Sequence, residues 1–163
     1  MEKKSIYAKR IEKVQMSSIR IVMEKVEKLR NQGKSIVSLC AGEPDFNTPA
    51  GIKKATMDAL NDNQTHYSSN RGYAGLRQKV AQLLQEQTTI NYDSEQEIIM
   101  TCGCSEAINN TCLAFIDPGD EVIIFTPAFV SYQNTVLLCE GIPVEIPLKS
   151  RNGFQIDIEE VKN

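Results

Sequence analysis

The residues best suited to chemistry fall into clusters that each join bare backbone to a polar or aromatic side chain. Thr101-Cys102-Gly103-Cys104-Ser105-Glu106-Ala107 leads from an apolar stretch through a glycine and small residues into a helix. Such a turn presents the N–H groups of a helix N-terminus beside a serine hydroxyl, which is how a phosphate is held. The plainer alternative is an N-capped helix with Ser105 as an ordinary cap. No Gly-Lys-Ser/Thr follows, and the glycines of the dinucleotide fingerprint are missing. The anion implied therefore belongs to something smaller than a dinucleotide.

Thr126-Pro127-Ala128-Phe129-Val130-Ser131-Tyr132 follows an apolar run that ends at Phe125. Open α/β sheets bind ligands outside the carboxyl ends of their strands. At that edge Phe129 offers a face to a flat heteroaromatic ring, with core packing as the alternative. Ala41-Gly42-Glu43-Pro44-Asp45-Phe46-Asn47-Thr48-Pro49 follows a second apolar run. Gly42 lets a ligand approach the backbone, and Pro44 fixes the chain direction. Thr48 and Pro49 read as a hydroxyl N-cap with proline at the first helical position. Thr65-His66-Tyr67, with Arg71-Gly72-Tyr73 and Leu76-Arg77, forms a polar loop. Its tyrosine hydroxyl is either a donor to an anion or an ordinary surface contact.

Elements must position these clusters. Residues 6–31 read as one helix, with Ile19, Val22, Val26 and Leu29 at spacings of three and four and Gly33 past its end. Ser35 to Leu39 reads as a short strand. Ile52, Ala55, Ala59 and Leu60 mark the next helix, and Leu76, Val80, Leu83 and Leu84 another. Strands and helices then alternate. Strands are expected at Glu97 to Cys102, Glu121 to Phe125 and Ile142 to Ile146. A helix through Ala107 and Phe115 and a second from Phe129 to Leu138 separate them, with a turn at Asp117-Pro118-Gly119-Asp120. This rhythm predicts an α/β fold with a parallel sheet. A sheet of about three strands is small for a finished domain. A further helix begins near Ile156, so the chain is expected to stop short of its fold.

Bulk properties narrow the function. The chain has 163 residues, is 41% hydrophobic and carries a net charge of −3. That balance argues against nucleic acid as a partner, since such surfaces are basic. No apolar run is long enough to span a bilayer and no signal-peptide core opens the chain, so no membrane partner and a cytoplasmic location are expected. Five cysteines without paired C-x-x-C spacing suit neither a disulfide framework nor a zinc site, and one histidine supports no metal cluster. Reduced thiols and no metal are the expectation.

Taken in order and spacing, AGEPDFNTP, Tyr67, the Gly103 turn, Asp117-Pro118-Gly119-Asp120-Glu121-Val122 and the Phe129 segment resemble the class I (fold-type I) pyridoxal-phosphate (PLP) aminotransferases of the aspartate-aminotransferase-like group. The resemblance covers essentially the whole chain. It implies a partial PLP-transferase fold of type I: an N-terminal helical arm plus the first strands of a mostly parallel α/β/α sheet. Residues 1–45 would be the arm and part of the small domain, and 46–163 the first part of the large PLP-binding domain. Cys104 and Ser105 would bind the cofactor phosphate, Phe129 would stack on its ring, and Gly42 would meet the substrate α-carboxylate. Tyr67 would reach the neighbouring subunit's cofactor phosphate, which implies a homodimer acting on amino-acid and 2-oxo-acid substrates.

The family's Schiff-base lysine, its pyridine-pairing aspartate and its carboxylate-binding arginine lie downstream of the matched region. No lysine here sits in a matching motif, so no catalytic residue is assigned, and the chain alone is expected to be inactive and truncated. In one aspartate-specific branch a lysine occupies the position of Ser105. Ser105 lacks that charge, so a broader or apolar amino donor is expected. The competing readings are a C–S β-lyase of the same fold and a non-catalytic fragment that binds a partner.

Overall fold

The structure is a computed structural model that describes residues 6–14 and 17–162. It divides into two compact units, Met1–Ala41 with Gly103–Asn163, and Gly42–Cys102.

In the first unit, a 3-10 turn at Lys9–Lys13 precedes α1, Ser18–Asn31. The single helix expected over residues 6–31 is thus interrupted, because Val14 takes an extended conformation (φ −83°, ψ 126°). The apolar positions that signalled the helix, from Ile19 to Leu29, all fall within α1. Gly103 opens α4, Cys104–Phe115, and β1 (Glu121–Thr126), α5 (Ser131–Leu138) and β2 (Ile142–Pro147) follow. β1 and β2 pair in parallel, with Glu121 opposite Ile142 and Thr126 opposite Pro147. Parallel neighbours need a crossover, and α5 supplies it. α5 packs on α4, on both strands and on the 3-10 turn, burying Val136, Cys139 and Ile124. A 3-10 turn at Ser150–Asn152 and α6, Ile158–Lys162, end the described chain.

The second unit holds α2, Ala50–Asn61, and α3, Ala74–Thr88. Pro49, not Thr48, occupies the N-cap of α2, and no side chain caps it. Pro49 brings a fixed φ near −53° but no hydroxyl; its carbonyl accepts from the Ile52 and Lys53 N–H groups.

Two expected strands do not form. Residues 35–39 and 97–102 make no ladder with any described segment. The first leaves Val37 and Leu39 almost fully exposed. The second alternates as a strand does, with Ile98 buried and Ile99 exposed, but its hydrogen bonding to Arg71 is a single link, from the Met100 N–H. A strand exists only when a neighbour pairs with it, and apolar content cannot supply one.

Large apolar side chains stay exposed, among them Ile123 on β1 and Phe115 and Leu113 on α4. The apolar faces that the sequence pattern specifies are present, but most remain uncovered.

Candidate functional site

In the first unit, Cys104, Ser105 and Phe129 come together. They line a pocket of about 140 Å³ with Ile108, Ser131, Tyr132 and Thr135. Its location follows from the local sequence. Gly103 adopts φ 86°, ψ 171°, a conformation open essentially to glycine alone, and so turns the chain directly into α4. Cys104 and Ser105 become the first two helical residues, whose N–H groups have no acceptor within the helix. Gly103 is the cap, and Ser105 is therefore two positions past it. Its hydroxyl is exposed and makes no hydrogen bond among the described residues. A Cβ placed on Gly103 would meet nothing within 4 Å.

The opposite wall comes from the segment after β1. A cis bond joins Thr126 to Pro127, and Phe129 precedes the first turn of α5. Phe129 is 52% exposed, so the described residues do not bury it in a core. Tyr132 holds it edge-on, with ring centroids 5.9 Å apart and planes at 79°. The T-shaped contact fixes the relative tilt of the two rings, and half of Phe129 stays exposed. Thr135 donates its hydroxyl back to the Ser131 carbonyl at 2.8 Å, and the two residues, four apart on α5, both line the pocket.

The electrostatics come mainly from backbone. The start of α4 carries the positive end of the helix dipole, and among the described residues no lysine or arginine lines the pocket. An anionic group on a flat ring suits this lining: N–H groups and a hydroxyl at one end, an aromatic face at the other. Further along α4, Cys112 is the thiol whose acidity moves. Burial, and then the neighbouring Cys139, push it above its ordinary value.

Gly42 and Tyr67 belong to the second unit and are described within it. Gly42 is exposed, with nothing within 4 Å of the point a Cβ would occupy, and Tyr67 is fully exposed. Among the described residues no group of His, Cys, Asp and Glu is arranged to hold a metal ion. No described helix is long and apolar enough to cross a membrane.

Sequence reasoning assigned no role to Tyr132, Ser131 and Thr135. Two spacings carried the signal: Phe129 and Tyr132 are three apart, and Ser131 and Thr135 are four apart on one helix face. Arg77 was also missed as a buried residue, because an arginine early in a helix reads as solvated.

The family model for aminotransferase class I and II matches residues 34–163. The chain is 42% identical over 129 residues to the aspartate aminotransferase of Pyrococcus abyssi, covering 79% of this chain and 33% of that protein. It is 34% identical over 155 residues to an aspartate aminotransferase of Rhizobium meliloti, covering 95% of this chain and 38% of that one. Among solved structures, the aspartate aminotransferase from Thermus thermophilus with maleate superimposes with a TM-score of 0.91 at 35% identity. That match covers 97% of this chain and 41% of the other. The chain thus spans about a third to two-fifths of the length of these relatives, and its partial α/β architecture is the corresponding part of the aspartate aminotransferase fold. On this match, which takes in the Gly103 turn and the Phe129 segment alike, the chain belongs to the class I and II aminotransferase family.

Proposed function

We propose that this protein is the N-terminal part of a PLP-dependent aminotransferase that moves an amino group between an amino acid and a 2-oxo acid. The observation that carries the reading is the helix start at Cys104–Ser105 sharing one pocket with the half-exposed ring of Phe129. The residues fit the cofactor's chemistry: a phosphate suits open N–H groups with a hydroxyl, and a pyridine ring suits an aromatic face. Bound there, PLP supplies the electron sink for chemistry at the amino acid's Cα.

This chain's residues bind and orient. The Cys104 N–H and the Ser105 N–H and hydroxyl hold the phosphate, and the α4 dipole offsets part of its charge. Phe129 limits the ring's tilt. Gly42 offers bare backbone to the substrate α-carboxylate, and Tyr67 donates to the cofactor phosphate of a second subunit, so the working unit is a homodimer. No proton transfer is assigned to a residue of this chain. Residues 1–45 serve as the arm and part of the small domain and 46–163 as the first part of the large domain, in a cytoplasmic enzyme with reduced thiols.

The test uses the complete enzyme with PLP, an amino donor and a panel of 2-oxo acids. Amino transfer is expected, and Ser105→Ala should raise the PLP needed for half-maximal rate about tenfold, the worth of one charge-assisted hydrogen bond. Release of ammonia and a 2-oxo acid without transfer would contradict the reading and favour a lyase.

A further inference from the structure

Arg77, in the first turn of α3, is 3% exposed, and it is the buried charged residue among those described. A buried guanidinium is costly unless its donors are met. Here three are. Nε donates to the Ser94 carbonyl at 2.7 Å, Nη1 donates to the Gly72 carbonyl, and Nη2 donates to Glu95 Oε2 at 2.7 Å. The acceptors come from two segments, 69–73 and 93–100, which other bonds also tie together. Arg71 Nη1 donates to the Glu95 carbonyl, and the Met100 N–H donates to the Arg71 carbonyl at 3.0 Å. Within the loop, the Gly72 N–H donates to the Ser69 carbonyl at 2.8 Å. Gly72 sits so close to Met100 that a Cβ there would lie 2.7 Å from the Met100 Cβ.

The clamp begins two residues after Tyr67, whose own side chain is fully exposed. We propose that Arg77 is a positioning residue for Tyr67: its fork, with Glu95 and the Met100 backbone, fixes the base of the loop from which the Tyr67 hydroxyl is presented. The functional half of this proposal rests on the reading of Tyr67 as a phosphate donor given above. A lysine cannot replace the fork, because one ammonium cannot serve acceptors on both segments in the same plane.

Two measurements test it. In this chain, hydrogen exchange at the Gly72 and Met100 amides should quicken about tenfold or more in Arg77→Lys and several-fold in Glu95→Gln, while α2 amides keep their rates. Glu95→Gln preserves shape and serves if Arg77→Lys fails to fold. Unchanged exchange at both amides in both variants, or uniform quickening across residues 42–102, would overturn the clamp. In the holoenzyme, Arg77→Lys should weaken PLP retention about as much as Tyr67→Phe, with the double variant no weaker than the worse single one. Additive losses overturn the link between the two residues. Full PLP retention in Tyr67→Phe beside quickened exchange in Arg77→Lys overturns the assignment of Tyr67, and with it this role of Arg77, while leaving the Ser105 site standing.

Discussion

The turn before α4 and the loop before α3 are both built on a glycine with positive φ, 86° at Gly103 and 91° at Gly72, yet their surroundings are opposite. Around Gly103 there is open space, with nothing within 4 Å of a Cβ. Around Gly72 the Met100 side chain leaves no room for one. The polar groups follow the same division. The helix start at Cys104–Ser105 keeps donors available, whereas the Gly72 loop spends its carbonyls and N–H groups on Arg77, Met100 and Ser69. A surface that receives a ligand has to leave polar groups to be satisfied by that ligand. A loop that only holds its position is better with none left over.

Substitution of the two glycines separates these cases. Gly72→Ala should show the larger effect, about 2–4 kcal/mol of stability lost from the Gly42–Cys102 unit, because backbone strain and overpacking against Met100 add. Gly103→Ala should cost about 1–3 kcal/mol from backbone conformation alone, with the loss confined to the start of α4. Denaturation and site-resolved hydrogen exchange read both. Should Gly103→Ala prove the costlier change, the distinction between a crowded and an open glycine fails.

A smaller effect comes from Cys112, further along α4. Burial and then Cys139 raise the Cys112 thiol above 9.0 in the fold, so the protonated form is the one the structure favours. With the folded value above the unfolded one, this contribution is fully present below about pH 9 and is lost as pH rises through the folded value. The denaturation midpoint should therefore fall as pH rises above about 9, and Cys112→Ala should reduce that fall. Because Cys112 is only partly buried the change is modest, and an identical pH dependence in the variant would contradict it.

The legible parts of this molecule were those decided locally. α2, α3 and α4 announce themselves through apolar residues at helical spacing, and β1-α5-β2 through an apolar run, a turn and a second run. The helix start after Gly103 was readable for the same reason, since it is a property of a few consecutive residues. What sequence pattern missed depends on distant partners. Residues 35–39 and 97–102 have strand composition without a described neighbour to pair with. The burial of Arg77 depends on Ser94 and Glu95, some 17 and 18 positions away. Even the N-cap of α2 moved one residue, from a threonine with a suitable hydroxyl to a proline with a suitable φ.

The central claim, that Cys104, Ser105 and Phe129 form the cofactor's phosphate and ring site, is tested most directly by titration with pyridoxine 5'-phosphate, which lacks the reactive aldehyde. Amide and aromatic signals of the isotopically labelled protein are followed by NMR. Saturable shifts are expected at the Cys104 and Ser105 amides and the Phe129 ring, with affinity about tenfold weaker in Ser105→Ala. Shifts confined to other residues, or equal affinity in Ser105→Ala, would contradict the account.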